Sequence, residues 1–284
     1  MKVKSLLGVA FALVLCTGAP AAEKADLILI HGRIITMDAQ DRVVQAIAVT
    51  GGRIIATGSD KRIMALATSG TQVIDLGGRA ATPGLIDAHA HLSGENAAPD
   101  RSVEQIESDI LRDFEALHGQ GITAVRDPHV TASGWEAYRA VLTADGLTER
   151  VCVLLSPGTQ PEAAPKSLGD GRLISCGTGT VAGDTDTPRP INWTSVQRDI
   201  AKERRGAASV HDVLRSYTRL AAPLLHIEGE AGSLEKGKRA DLAVWDRDPY
   251  KVRQDQLADM KCLMTLLDGE VIYRTEQAPL VSKR

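Results

Sequence analysis

The chain has 284 residues, of which 43% are hydrophobic, and a formal net charge of -3 at pH 7. This length and apolar fraction suffice for a large buried core, which excludes a disordered or fibrous chain. The 33 basic residues are balanced by 36 acidic residues, and no long basic run marks a nucleic-acid surface. We therefore expect a small-molecule partner and no nucleic acid. Only 3% of the residues are aromatic, so Val, Ile, Leu and Ala must build the core, as in strands packed under helices.

The first 22 residues have the pattern of a signal peptide. Lys2 and Lys4 precede an apolar run at 6–16, and small residues follow at 19–22. The run is shorter than the ~20 residues that cross a bilayer. The pattern predicts export to the periplasm or the medium, with no transmembrane segment in the mature chain. A lipid anchor on Cys16 is the lesser alternative, because Leu15 is bulkier than the small residue that usually precedes a lipidated cysteine.

Three cysteines remain after this segment, namely Cys152, Cys176 and Cys262, and no two of them form a CxxC pair. This spacing indicates neither a disulfide framework nor a cysteine zinc site. A single disulfide bridge is the most that these cysteines allow.

Short β-type runs separated by turn residues fill both ends of the chain. Near the amino end we predict strands at 26–30, 33–37, 46–49, 53–57 and 72–76, with the rhythm of antiparallel hairpins. The same pattern returns near the carboxyl end, at 240–245, 262–267 and 270–274. We expect residues 23–81 and 232–284 to form one composite β-sandwich, into which residues 82–231 are inserted as a second domain.

The middle of the chain alternates strands with helices, which predicts βαβ units and a parallel sheet. In chain order we expect a strand at 85–89, a helix at 103–118, a strand at 122–127, a helix at 135–144, and strands at 150–155, 172–176 and 180–184. In such folds the chemistry gathers at the carboxyl ends of the strands. His118 ends the first of these helices, where a partly positive imidazole is favourable.

Two histidines, His89 and His91, end the first of these strands, in the sequence PGLIDAHAHLSG. Side chains two residues apart on a strand face the same way, so both imidazoles can reach one ion while Ala90 points away. Neutral imidazoles are ordinary zinc ligands, and a catalytic zinc site needs three protein ligands and a water. By itself the spacing also fits two histidines that only form hydrogen bonds in a loop. Asp87 shares their face and Asp127 ends the next strand, so either carboxylate can orient an imidazole.

The surrounding sequence resembles the amidohydrolase superfamily, most closely its amidohydrolase-3 branch. The matching segments are ADLILIHGRIITMD, AVTGGRIIATGS, VIDLGGRAATPGLIDAHAHL, GITAVRDP, EAYRAVLTADGLTERV, GSLEKGKRADLAVWDRDP and MTLLDGEVIYR. The resemblance implies a TIM-type barrel that carries a divalent metal beside a β-sandwich. It implies hydrolysis of non-peptide carbon–nitrogen bonds in small or cyclic amides, with His89 and His91 as the metal-binding pair of the first barrel strand.

The resemblance also implies an aspartate at the end of the last barrel strand, which binds the metal and shuttles protons. Asp184 in the segment TVAGDTDTP is the match, and Asp186 is the near alternative. The competing interpretation of either residue is a turn aspartate, because Thr, Asp and Pro cluster here and favour turns.

The region available for the barrel is shorter than this family needs. An eightfold barrel takes about 250 residues, whereas residues 82–231 supply about 150. We therefore expect an incomplete barrel that lacks several βα units between Leu155 and Asp184. Thr178 and Thr180 stand where the family's bridging lysine is expected, and no later histidine ligand occurs between Leu155 and Asp184. One divalent ion, a zinc held by His89, His91 and Asp184, is the expected ligand set.

Two hypotheses follow from these residues. The first is a metal-dependent hydrolase in which a metal-activated water attacks the bond and Asp184 serves as general base and then general acid. The second is a non-catalytic remnant of such an enzyme. In the remnant, open strand edges of the shortened barrel offer a route to a homo-oligomer.

Overall fold

The computed structural model describes residues 24–92, 101–157, 167–168, 170–178, 191–202 and 209–284. The predicted signal peptide and the predicted strand at 180–184 lie outside these ranges. The strands are β1 Leu27–Ile30, β2 Arg33–Ile35, β3 Val43–Val44, β4 Ala46–Thr50, β5 Arg53–Gly58, β6 Gln72–Asp75, β7 Ala80–Pro83, β8 Leu85–Asp87, β9 Ile122–Val130, β10 Arg150–Leu155, β11 Ser167–Leu168, β12 Leu173–Thr178, β13 Leu242–Trp245, β14 Cys262–Leu267, β15 Glu270–Arg274 and β16 Val281–Lys283. The α-helices are α1 Asp60–Met64, α2 Val103–His118, α3 Ala132–Thr143, α4 Trp193–Lys202 and α5 Val210–Ser216, and two short 3₁₀ helices lie at Ala222–Leu225 and Gln254–Asp259.

Strands from the two ends of the chain share two sheets. One sheet has the order β16-β6-β1-β4-β5 and the other has the order β15-β14-β13-β7-β2-β3. In the second sheet β13 pairs antiparallel with β7, which places Ala81 opposite Val244. A side-chain hydrogen bond also connects these two strands, because Trp245 Nε1 on β13 donates to Thr82 Oγ1 on β7 at 3.0 Å. Apolar residues from both sheets, such as Ile47 and Leu242, belong to one buried cluster. The sheets therefore pack together through their apolar faces.

The predicted hairpins near the amino end form only in part. β4 and β5 are an antiparallel pair, but β1 pairs in parallel with β6 and β2 pairs in parallel with β7. The chain passes from one sheet to the other at His31, whose φ is 51°, and Gly32. A Cβ at Gly32 would lie 2.4 Å from Leu76 Cδ1, so a larger residue at the crossing would displace the Leu76 side chain. Alternating apolar residues predict a strand but do not specify its partner, so the sequence pattern does not distinguish a hairpin from these parallel pairings.

The third sheet has the order β11-β12-β10-β9-β8 and is mostly parallel. β8, β9, β10 and β12 run in parallel, and β11 is antiparallel to β12. α2 and α3 connect β8 to β9 and β9 to β10, as expected for βαβ units. These two helices cover one face of the sheet in a cluster that includes Phe114 and Tyr138. Ala222, Leu225 and neighbouring residues cover the other face against Ile86. The protein is thus of mixed α/β type.

α2 illustrates how local sequence produces these elements. Ser102 caps the helix because its side chain accepts a hydrogen bond from Gln105 N. The Gln105 side chain in turn accepts a hydrogen bond from the backbone N–H of Ser102. Ile106, Ile110 and Phe114 recur every four residues and are all buried, so one face of the helix is apolar. The observed bounds coincide with the predicted helix at 103–118.

A buried charged cluster joins the amino end of β10 to the sheets formed by the chain ends. Arg150 is 1% exposed, and it donates to Asp241 Oδ2 and to Asp268 Oδ1, both at 2.6 Å. Arg172 and Arg239 also pair with Asp268, each at 3.1 Å. Burial alone would raise the pKa of Asp268, but these guanidinium groups outweigh it and hold that pKa below its usual value. The cluster thus links the central sheet to the turn between β14 and β15.

A disulfide joins Cys152 on β10 to Cys176 on β12, with the Cα atoms 5.8 Å apart. It is the single bridge that the cysteine content allowed. Cys262 is a free, buried thiol, and burial raises its pKa to about 11. In the part of the chain that the structure describes, no helix is both long and apolar enough to span a membrane.

Candidate metal site

β8 brings the histidine pair to the carboxyl end of the central sheet. Gly84, just before this strand, donates its N–H to Asp241 O at 3.0 Å. A Cβ at Gly84 would lie 2.1 Å from Thr123 Oγ1 on β9, and Thr123 is buried, so a larger residue has no room. β8 ends at Asp87, two residues earlier than predicted, and His89 lies in the turn that follows. Glycine therefore sets the close approach of the two strands that frame the site.

His89 and His91 converge on one point. Their Nε2 atoms are 2.9 Å apart, and the ring planes meet at 72° with centroids separated by 4.7 Å. Ala90 and Leu92, on either side of His91, pack into the cluster on the helix side of the sheet. Two nitrogens that each lie about 2.05 Å from one tetrahedral zinc ion are about 3.3 Å apart, so a separation near 3 Å is in the range of two ligands of one ion. The pair therefore fits two adjacent ligand positions of one divalent ion.

Asp87 fixes the backbone at the start of this segment. Its Oδ1 accepts from His89 N at 3.0 Å and its Oδ2 accepts from Ile191 N at 3.4 Å. The carboxyl is 5% exposed, and burial raises its pKa, an effect that the two amide donors offset in part. These hydrogen bonds go to backbone amides, so Asp87 orients the histidine segment through the main chain.

Asp127 on β9 fixes the other end of the segment. It is fully buried; its Oδ2 accepts from Tyr138 Oη at 2.6 Å and its Oδ1 faces Leu92 N at 3.5 Å. Burial, followed by the charge of Asp127, raises the pKa of Tyr138 well above its usual value, so the phenol remains a donor. Between these ends Ala90 N donates to Arg126 O at 2.9 Å. Strands β8 and β9 thus hold the histidine segment through three backbone amides.

The third predicted ligand, Asp184, and its alternative, Asp186, lie outside the described residues. Within the described ranges, no group of three or more His, Cys, Asp or Glu side chains is arranged to hold a metal ion. Within the described residues the metal donors are therefore the histidine pair, which suits a divalent ion in ligand type and spacing.

Tyr138 and Ile191 contribute to the site in ways that the sequence did not indicate. Tyr138 lies on the buried face of α3 with Trp135 and Val141, so its position in the sequence is typical of a core residue. Ile191 contributes a backbone amide, which is independent of its side chain. Only the phenol of Tyr138, a polar group on an apolar face, was a usable signal.

Comparison with known proteins gives related hydrolases. Residues 178–273 match the model of the amidohydrolase-3 branch, described as the amidohydrolase family. N-substituted formamide deformylase of Arthrobacter pascens is 40% identical over 75 residues, which are 26% of this chain and 14% of that protein. An adenine deaminase of Desulfitobacterium hafniense (strain Y51) is 30% identical over 136 residues, 47% of this chain and 21% of that protein. Enamidase of Eubacterium barkeri is 29% identical over 182 residues, 57% of this chain and 45% of that protein.

Solved structures extend this likeness to the fold. Atrazine chlorohydrolase TrzN from Arthrobacter aurescens TC1, complexed with zinc, aligns with a TM-score of 0.66 and 15% identity over 89% of this chain and 96% of that chain. The crystal structure of an enamidase aligns with a TM-score of 0.54 and 16% identity over 90% and 100% of the two chains. At these identities the likeness shows the fold alone.

The sequence and structure matches agree on one group of proteins. The chain is similar in sequence to amidohydrolases, over residues 178–273 by the family model and over part of its length by the relatives above, as its sequence predicted. The deformylase, deaminase and enamidase named above are hydrolases of carbon–nitrogen bonds. The chain spans 14% to 45% of their lengths, less than half of each.

Proposed function

We propose that the chain is a metal-dependent hydrolase that cleaves non-peptide carbon–nitrogen bonds in a small molecule, such as an amide or a cyclic amide. The observation that carries the proposal is the convergence of His89 and His91, with Nε2 atoms 2.9 Å apart, at the carboxyl end of the central sheet. The deformylase, deaminase and enamidase relatives support the bond class.

In this proposal His89, His91 and Asp184 hold one divalent ion, which we take to be zinc. Such an ion, when bound, supplies a water that is reactive near neutral pH and polarises the carbonyl of the substrate. Asp184 accepts the proton of the attacking water and returns it to the leaving nitrogen. Asp186 is the alternative residue for this role. Zinc in a structural relative supports the choice of metal.

The proposal includes the architecture around the site. Residues 82–231 would be an incomplete TIM-type barrel, inserted into a β-sandwich made from residues 23–81 and 232–284. The parallel run β12-β10-β9-β8 and the sheets shared by the chain ends support this division. An eightfold barrel has eight parallel strands, whereas the described central sheet has four parallel strands and one antiparallel strand.

Export to the periplasm or the medium remains part of the proposal. The signal-like residues 1–22 lie outside the described ranges, and the Cys152–Cys176 disulfide supports an oxidising compartment. Mass spectrometry of the protein from its native host tests export, because a mature chain that retains Met1 would contradict it.

Metal binding and hydrolysis test the function together. The purified chain should hold about one equivalent of zinc, as a single three-ligand site requires. His89→Ala and His91→Ala should lose the metal and the hydrolysis of N-substituted formamides, enamides and cyclic amides. Asp184→Asn, or Asp186→Asn if that residue is the proton shuttle, should abolish turnover. His226→Asn is the matched control, since His226 is exposed and asparagine tolerates its φ of 59°.

The remnant hypothesis predicts a different outcome for the same samples. Little zinc, no turnover on any substrate and elution as an oligomer in size-exclusion chromatography would replace the hydrolase with a non-catalytic remnant.

A further inference from the structure

We infer that Asp87 is a positioning residue for the histidine pair, a single buried carboxylate that fastens the histidine segment at residues 89–92 to Ile191 beside α4. The inference deepens the proposed function and rests on it, because the first test measures how tightly the protein binds zinc.

The carboxylate of Asp87 forms a bridge between two distant parts of the chain. One oxygen accepts from His89 N and the other accepts from Ile191 N, 104 residues later. A buried carboxylate is costly unless its oxygens are hydrogen-bonded, and here each oxygen serves a different segment. Asp87 is the last residue of β8 and lies opposite Val125 on β9. The sheet therefore fixes the carboxylate, and the carboxylate in turn fixes both amides.

The turn after β8 explains why such a bridge matters. Ile86 and Ala88 pack on the face of the sheet opposite the helices, whereas Ala90 and Leu92 pack on the helix side. The alternation of side chains is therefore interrupted between Ala88 and Ala90. The interruption lies at His89, and the hydrogen bond from His89 N to Asp87 Oδ1 is made at that point. Arg126 O and Asp127 hold the far end of the segment, so loss of the Asp87 bridge acts on the end of the segment that carries His89.

Two substitutions of Asp87 that remove one or both acceptor oxygens test the contribution of its hydrogen bonds to zinc affinity. Asp87→Asn replaces one acceptor oxygen with an NH₂ group, and Asp87→Ala removes both acceptors. We expect zinc affinity, measured by competition with a chelating dye, to fall about 10- to 100-fold in the asparagine variant and further in the alanine variant. Ile191→Pro removes only the distant amide donor and leaves the carboxylate in place. It should weaken zinc binding in the same direction but by less, and it remains informative if the Asp87 variants do not fold.

Asp38→Asn is the matched control. Asp38 is also fully buried, and its Oδ1 accepts from Gln40 N and Arg42 N, both at 3.1 Å. It lies between β2 and β3 in a different sheet. We expect this variant to lower the melting temperature without changing zinc affinity, which separates a loss of positioning from a general loss of stability.

A metal-free measurement separates failure of the inference from failure of the proposed function. In metal-free protein, the 2.9 Å between the Nε2 atoms allows an Nε2–H of one neutral imidazole to donate to the other. NMR of ¹⁵N-histidine-labelled, metal-free protein should show this protected Nε2–H in the wild type and in Asp38→Asn, and its loss in Asp87→Asn. If the wild type binds no zinc, the proposed function fails and this spectrum alone decides. Wild-type zinc affinity, or an unchanged spectrum, in Asp87→Asn and Ile191→Pro would overturn the inference.

Discussion

The carboxyl group of Glu149 is buried in the protein interior, and the cost of burying it is only partly offset by neighbouring charges. The residue is fully buried, and His118 Nε2 lies 3.3 Å from its Oε1. Burial raises the pKa of Glu149 well above its usual value and lowers the pKa of His118. Burial therefore disfavours the charged form of both residues despite their short separation. His118 ends α2, as predicted, but burial lowers its pKa, which disfavours the partly positive imidazole expected there; its Nε2 lies 3.0 Å from Thr148 O.

Replacement of Glu149 by glutamine should therefore stabilise the protein as pH rises. A carboxyl whose pKa is raised on folding stabilises the folded state at low pH. This stabilisation is lost as the pH rises from 4.5, the ordinary pKa of a glutamate, towards the higher pKa of Glu149 in the folded protein. In urea unfolding the advantage of Glu149→Gln should grow with pH by up to about 1.4 kcal/mol per unit. Glu270→Gln, at an exposed position on β15, should stay within about 0.5 kcal/mol of the wild type. An advantage that shrinks with pH would contradict this account.

The histidine pair shows how much of a site can be predicted at this scale. The spacing of His89 and His91 predicted convergent imidazoles, and the structure brings their Nε2 atoms together. The orientation of Asp87 was not predictable, because its hydrogen bonds depend on a turn after β8 and on an amide 104 residues away. The pattern of side chains along the sequence does not indicate which distant backbone amides a carboxylate will contact. The role of Asp184 stays a prediction.

Elements set by local pattern were predicted better than those set by distant pairing. α2, β10 and β14 have the predicted bounds, because a capping residue or a continuous apolar run defines them. β16 was missed because its three residues are all exposed and only pairing with β6 makes them a strand. β9 continues to Val130, beyond the predicted end at Asp127, through Pro128. Proline lacks the N–H that a strand ladder uses, and the pairing of β9 with β10 shifts register in this region.

The disulfide between β10 and β12 should make stability depend on redox state. Cys152 and Cys176 are 24 residues apart, and closure of a loop of this size is worth about 2–4 kcal/mol of unfolding free energy. Dithiothreitol should therefore lower the urea midpoint of the wild type. The double variant Cys152→Ser, Cys176→Ser should start low and show no response, whereas Cys262→Ser should respond like the wild type. A wild-type midpoint that ignores reductant would argue against the bridge.

The two sheets shared by the chain ends make the termini depend on each other. β7 has β13 as one neighbour, and β13 in turn carries β14 and β15. A chain that ends after residue 240 would lose all of these strands and expose the apolar cluster that includes Ile47. We expect it to be insoluble or to lack a cooperative thermal transition in circular dichroism.

A shorter truncation provides the control. A chain that ends after residue 280 loses only β16, whose side chains are exposed, and it should remain soluble with a transition close to that of the full chain. If the chain ending at residue 240 melted cooperatively, the dependence of one end on the other would be refuted.

The pairing of β7 with β13 also constrains the order in which the sheets can form during synthesis. Ala81 and Val244 are opposite each other, so a ribosome that adds about 5–20 residues per second makes the second strand roughly 10 to 30 s after the first. For that interval one edge of β7 has no partner, while β8, β9 and β10 emerge with the helices that connect them. The central sheet can therefore assemble during synthesis, whereas the sheet that contains β7 closes last, after β13, β14 and β15 have left the ribosome.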